Sequence, residues 1–124
     1  MKNGLLRLLV IDANDPINAE KKLSFSVTLS VGGQLISGEL ISRNEFYNHS
    51  QNVPLKHYID AIEEEERKVS GEIKETPIDK INLIHLRNAS YWVNGSKIPS
   101  TNGTNIIVNI DSVDAFNMGM LNNG

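Results

Sequence analysis

The stretch that most constrains this chain lies over residues 25–42. Phe25, Val27, Leu29 and Val31 alternate with Ser26, Thr28 and Ser30. A strand sends successive side chains to opposite faces, so the spacing predicts a strand with one apolar face and one hydroxyl face. Gly32-Gly33 follows, and two residues free to take positive φ suit a tight hairpin turn. An extended pattern resumes from Gln34 to about Ser42, with Leu35, Ile36, Leu40 and Ile41 as its apolar content. Gly38, in the middle of this second strand, has no Cβ and permits the close backbone approach of a sharply bent sheet. A bent antiparallel hairpin over about residues 24–42 is the frame to which the rest of the chain must be fitted.

On the N-terminal side, Leu5, Leu8 and Leu9 recur at helical spacing among strong helix formers. This predicts a helix over about 4–13, stopped at Asn14-Asp15-Pro16, because the residue before proline is steered away from helical geometry. Residues 17–23 read as a polar connection or a frayed extension. After Asn48 the period changes. Asn52 can cap, Pro54 suits a first turn, and Leu55, Ile59, Ile62 and Val69 mark an apolar stripe, so a second helix is predicted over about 53–69. The acids at 63–66 wrap around such a helix and cannot converge on one metal, so they read as a solvated face.

Gly71 is the predicted stop, with a charged linker over 72–79. Strands are predicted across about 81–119: one over 81–86, a second over 90–93 after a turn at Asn88-Ala89, a third over 106–110 and a short one from Val113 to Met118. Asn94-Gly95 and Asn102-Gly103 are hairpin signals, and residues 97–100 between them read as loop. Residues 120–124 are expected to form a disordered tail. Short strands, two helices and no strand-helix alternation predict one α+β domain, mainly β, built as a small strongly bent antiparallel barrel of SH3-like kind with a helical insertion.

Composition narrows the function. With 15 acidic residues against 12 basic and a formal charge of −3, the chain is not built mainly to hold nucleic acid by charge. It has no cysteine, which removes disulfides, thiolate metal sites and cysteine nucleophiles together. The apolar cluster at 5–11 is broken by Arg7 and ended by Asp12, short of both a signal-peptide core and the ~20 residues of a membrane span. A cytoplasmic protein without a membrane anchor is expected. His49, His57 and His85 have no spacing that builds a metal triad, and neither a glycine-rich phosphate loop nor a Gly-x-Ser-x-Gly turn occurs. Asp111 and Asp114 read as turn-forming carboxylates. The expectation is a protein that is not an enzyme and holds no cofactor or metal. Tyr91 and Trp92 are adjacent, so in a strand one of them faces outward as a candidate partner contact.

Two family resemblances attach to these residues. Gly32-Gly33, Gly38-Glu39-Leu40, Asn44, Phe46 and Asn48 resemble the first segment of the Sm-like family, which implies a bent five-stranded barrel assembled into rings through edge strands. The second Sm segment would fall at Asn102-Gly103-Thr104-Asn105-Ile106, which lacks the family's basic residue. Val27–Gly33 with Ile36–Ser42, then Ile84–Ala89, then Val113–Gly119 resemble the gas vesicle accessory protein U family over nearly a hundred residues. That likeness implies a non-enzymatic cytoplasmic protein tied to gas vesicle assembly or clustering, with vesicle shell or accessory proteins as partners. The resulting expectation is a self-associating adaptor or assembly factor forming a homo-oligomer. The alternative is a degenerate Sm-like RNA binder, with Phe46 and Asn48 as base contacts.

Overall fold

The computed structural model describes residues 1–70 and 77–121. The predicted stop at Gly71, most of the predicted linker and residues 122–124 of the predicted tail lie outside the described residues. Two helices open the chain, α1 (Gly4–Asn14) and α2 (Pro16–Glu20), and the hairpin of β1 (Phe25–Val31) and β2 (Gln34–Leu40) follows. Next come α3 (Arg43–Asn48), a 3-10 turn at Ser50–Asn52 and α4 (Val53–Ser70). The chain then runs through β3 (Leu83–Val93), β4 (Ser96–Ile98), β5 (Thr104–Asn109), a 3-10 turn at Ile110–Ser112 and β6 (Val113–Met118).

The molecule is α+β with an antiparallel sheet, as the residue pattern predicts, but the described residues form four α-helices rather than two. The two additional helices have local causes. Asp15 is both the end of α1 and the cap of α2, its side chain accepting from the Ile17 N–H at 3.0 Å with Pro16 in the first turn. Ser42 caps α3 by accepting from the Glu45 N–H at 3.2 Å.

The sheet runs β4-β3-β2-β1-β6, and β5 pairs with β3 beside β4. Flat, this order would put β5 and β6 about 19 Å apart, four strand spacings. Three residues join them, and a 3-10 turn of that length advances only about 6 Å. The sheet must therefore curl strongly. Among the described residues β5 and β6 do not pair with each other, so the curl stops short of closure. The predicted barrel is corrected to an open, bent sheet.

Gly38 stands where the sheet bends. A Cβ there would lie 2.7 Å from the Ala89 Cβ, and the β2-β3 register slips at this point, between Ser37 and Glu39. Asn88, on the other side of the slip, takes φ +48. The predicted turn at Asn88-Ala89 is thus a bulge inside one continuous eleven-residue strand, because the long apolar neighbours on both sides hold the chain extended through it. Lys97 and Ile98, predicted as loop, join Ser96 in the short edge strand β4 (Ser96–Ile98).

The core fills the bend. Leu6, Val10 and Ala13 of α1 sit at helical spacing and pack with Val27, Leu29, Ile36, Leu40, Ile84, Leu86, Ile106 and Val108 from four strands. Arg7 is buried with them, its Nε donating to Lys2 O at 2.8 Å and Nη2 to Asp111 Oδ1 at 2.5 Å. The hydroxyl face predicted for β1 exists, yet Thr28 and Ser37 are buried. The chain after β6 turns across them: Thr28 Oγ1 donates to Gly119 O at 2.8 Å, and the Leu121 N–H donates to Ser37 Oγ at 2.9 Å. A second, smaller core joins Ile41, Phe46 and Tyr47 to Ile59 of α4.

Candidate functional site

A cleft of about 670 Å³ is lined by residues of α2 and α3 together with Ile41, Ser42, Arg87 of β3 and Asn105 of β5. This is within the usual size range of ligand pockets. The α2 wall is Pro16, Ala19 and Glu20, and the α3 wall is Asn44, Glu45 and Asn48.

Arg87 dominates the electrostatics. Its Nε donates to Glu39 Oε2 at 2.8 Å and its Nη1 to Glu45 Oε1, which ties β2, β3 and α3 together. The bond to Glu39, reinforced by the charge of Glu45, raises the Arg87 pKa above the ordinary guanidinium value against the opposing effect of burial. Among the lining residues Glu20 and Glu45 stand against Lys22 and Arg87, so the charges of the cleft wall balance. Glu45 Oε2 is buried and has no hydrogen-bond partner among the described residues.

The rest of the cleft is rich in amides. Asn105 Nδ2 donates to Gln51 Oε1 at 2.6 Å and to His49 Nδ1 at 3.2 Å, and the same His49 nitrogen accepts the Gln51 N–H at 3.1 Å. His49 is thus engaged as a turn cap. Asn44 and Asn48, one helical turn apart on α3, are both exposed.

Behind α3, Phe46, Tyr47 and His85 form a closed aromatic cluster. Ring centroids are 5.0 to 5.2 Å apart, and His85 Nε2 lies 3.2 Å from Tyr47 Oη. Burial, helped by the charge of Arg43, pulls the His85 pKa down to about 4, so this ring is neutral at physiological pH. Burial also raises the Tyr47 hydroxyl.

The four residues singled out from the sequence fall in three places. Phe46 is 1% exposed, so its ring offers no face on which a base could stack. Asn48 is on the cleft wall. Tyr91 and Trp92 stand near the far end of β3, half-buried and opposite Ile36 and Leu35 of β2, with Tyr91 packed on the main core. Glu45, Arg87 and Asn105 were not candidates in the sequence. The spacing Ser42-x-x-Glu45 was a signal for the first of them, since a capping residue followed three positions later by Glu marks a helix start. Among the described residues no group of three His, Asp or Glu side chains could hold a metal ion.

Compared with known protein families, the chain matches the family described as "Gas vesicle protein GvpU-like" over residues 5–121. The chain belongs to the GvpU-like family. No curated protein and no solved structure matches it. The GvpU-like match spans every element from α1 to β6 and the whole cleft. The likeness to the Sm-like family is not confirmed.

Proposed function

We propose that this GvpU-like protein is a non-enzymatic, cytoplasmic adaptor or assembly factor that associates with itself and acts on gas vesicle proteins. The observation that carries the reading is the family match over residues 5–121. Two features of the surface support it. The open sheet leaves edge strands, and an edge presents unpaired N–H and C=O groups ready to pair with another chain. Exposed apolar side chains stand at both edges, Ile98 and Ile107 on one side and Met118 on the other, and Val53, Leu55, Tyr58 and Ile62 are exposed on α4. Contact between two different edges of the same chain is head-to-tail and can build rings or open filaments. Among the described residues no helix is long and apolar enough to cross a membrane.

The test uses the buoyancy of gas vesicles. Purified vesicles mixed with the protein and centrifuged should carry it into the floating layer, whereas a protein of similar size and charge should stay below. Equal recovery of the two in the floating layer would remove the reading.

A further inference from the structure

Asn44 and Asn48 are two carboxamides on the cleft wall that the fold does not use. Both are exposed, and among the described residues neither carboxamide has a hydrogen-bond partner. The other amides nearby are committed: Asn14 donates to Val10 O and accepts the Arg43 N–H, and Asn105 holds Gln51. Residues four apart on a helix have Cβ atoms about 5–6 Å apart. Alternate residues of an extended chain are about 6.7 Å apart and point the same way. A carboxamide offers a donor and an acceptor side by side, the complement of the N–H and C=O that one residue of a strand presents at its edge. Two carboxamides at this spacing match two such residues in succession. Phe46 in the core anchors the helix that carries both carboxamides. Across the cleft, Pro16 and Ala19 supply a small apolar wall for side chains, and Arg87, with its Nη2 in no hydrogen bond among the described residues, supplies a further donor.

We propose that the α2-α3 cleft binds an extended segment of a partner polypeptide by its main chain, with Asn44 and Asn48 as a two-rung carboxamide ladder. A nucleic acid strand is the other ligand whose edges carboxamides can read, but its phosphates need surplus positive charge. The cleft has no such surplus: Glu20 and Glu45 balance Lys22 and Arg87, and Arg87 is already paired with Glu39 and Glu45. An uncharged peptide fits. The inference deepens the adaptor reading by giving it a partner-binding site.

The probe is a capped five-residue peptide of alternating Thr and Val, titrated into the 15N-labelled full chain, beside the same peptide N-methylated at alternate residues. The parent peptide should shift the side-chain amide signals of Asn44 and Asn48 with saturation. The N-methylated peptide, alike in side chains but lacking those N–H donors, should bind at least tenfold more weakly. The double variant Asn44→Ala with Asn48→Ala should lose binding by a similar factor while keeping the wild-type melting temperature, because neither side chain supports the fold. Ala19→Trp, which fills the cleft from the opposite wall, should abolish the shifts without touching either asparagine. Equal binding of the two peptides, or unchanged binding by the double variant, overturns the proposal. Stronger shifts of the same signals by a short oligouridylate overturn it in favour of nucleic acid. No vesicles are present in this titration, so its failure and the failure of vesicle flotation are separate results.

Discussion

His85 converts its burial into a dependence on pH. Its folded pKa is pulled down from an ordinary 6.5 to about 4, so between those values the unfolded chain binds a proton that the folded chain refuses. The stability that the neutral ring confers is present above pH 6.5 and is lost as pH falls toward 4, up to about 3 kcal/mol in all. Urea unfolding should therefore show a falling midpoint across this interval, and His85→Gln should flatten the fall even if it lowers the midpoint at neutral pH. Two glycines test the bend at the same scale. Gly38→Ala drives a methyl to 2.7 Å from the Ala89 Cβ and should cost about 1–3 kcal/mol by overpacking. Gly103→Ala should cost more, because its Cβ would meet the Asn88 carbonyl carbon at 2.2 Å and backbone cannot step aside as a side chain can. Thermal melts of both variants check the order. The demand at Gly38 was readable from a glycine in mid-strand; the demand at Gly103 was not, since it arises from a bulge at a residue fifteen positions away.

At the scale of elements, α4 carries apolar residues one turn apart that meet different fates. Ile59 packs on the second core, while Ile62 is exposed. Ile59→Ala should therefore destabilise by about 2 kcal/mol, and Ile62→Ser by no more than about 0.5 kcal/mol, in chemical denaturation. A destabilisation by Ile62→Ser that grows with protein concentration would instead reveal an intermolecular contact, since association links stability to concentration. The apolar stripe predicted α4 over almost its full length, but periodicity could not tell which of its residues face the body. For α3 the reverse holds. Its capping spacing was in the sequence and its six residues were too few for a periodic signal, so residues 43–48 fall in neither the predicted hairpin nor the predicted helix. Arg7 links elements far apart in sequence. Its guanidinium joins α1 to Lys2 O, Ile81 O and Asp111, and Arg7→Met should cost about 3 kcal/mol in the same assay by leaving buried acceptors unpaired. Asp111→Asn should cost far less, because that carboxylate is largely exposed to water.

The whole molecule is a bent sheet with α1 in its hollow, and its ends are drawn together. Asn3 Nδ2 donates to Ile110 O at 2.8 Å and Val113 O at 2.9 Å, across the 3-10 turn that forces the curl. What the open sheet implies for assembly belongs at this scale too. Sedimentation velocity should show a mean mass that rises with concentration, and Met118→Lys, a charge placed on the β6 edge at a residue 54% exposed, should lower it without altering the melting temperature. A purely monomeric boundary at tens of micromolar would reject self-association.

Local chemistry determined the elements that repeat a period or carry their own turn: the β1-β2 hairpin with Gly32-Gly33, α1, α4 and β6, together with the three-block resemblance that the GvpU-like match bears out. Those signals depend only on neighbours along the chain. Tertiary structure alone decided that the sheet stays open, that Asn88 bulges rather than turns, that Phe46 is core while Asn48 stands free, and that Arg87 meets Glu39 and Glu45 beside a cleft. Each of these depends on which distant segments share a strand edge or a layer, and a pattern of period two or 3.6 holds no information about that pairing. The hydroxyl face of β1 illustrates the division. Alternation placed Thr28 on the face opposite Val27 and Leu29, and only the path of the chain after β6 decided that this face would be covered by Gly119 and Leu121 rather than by water.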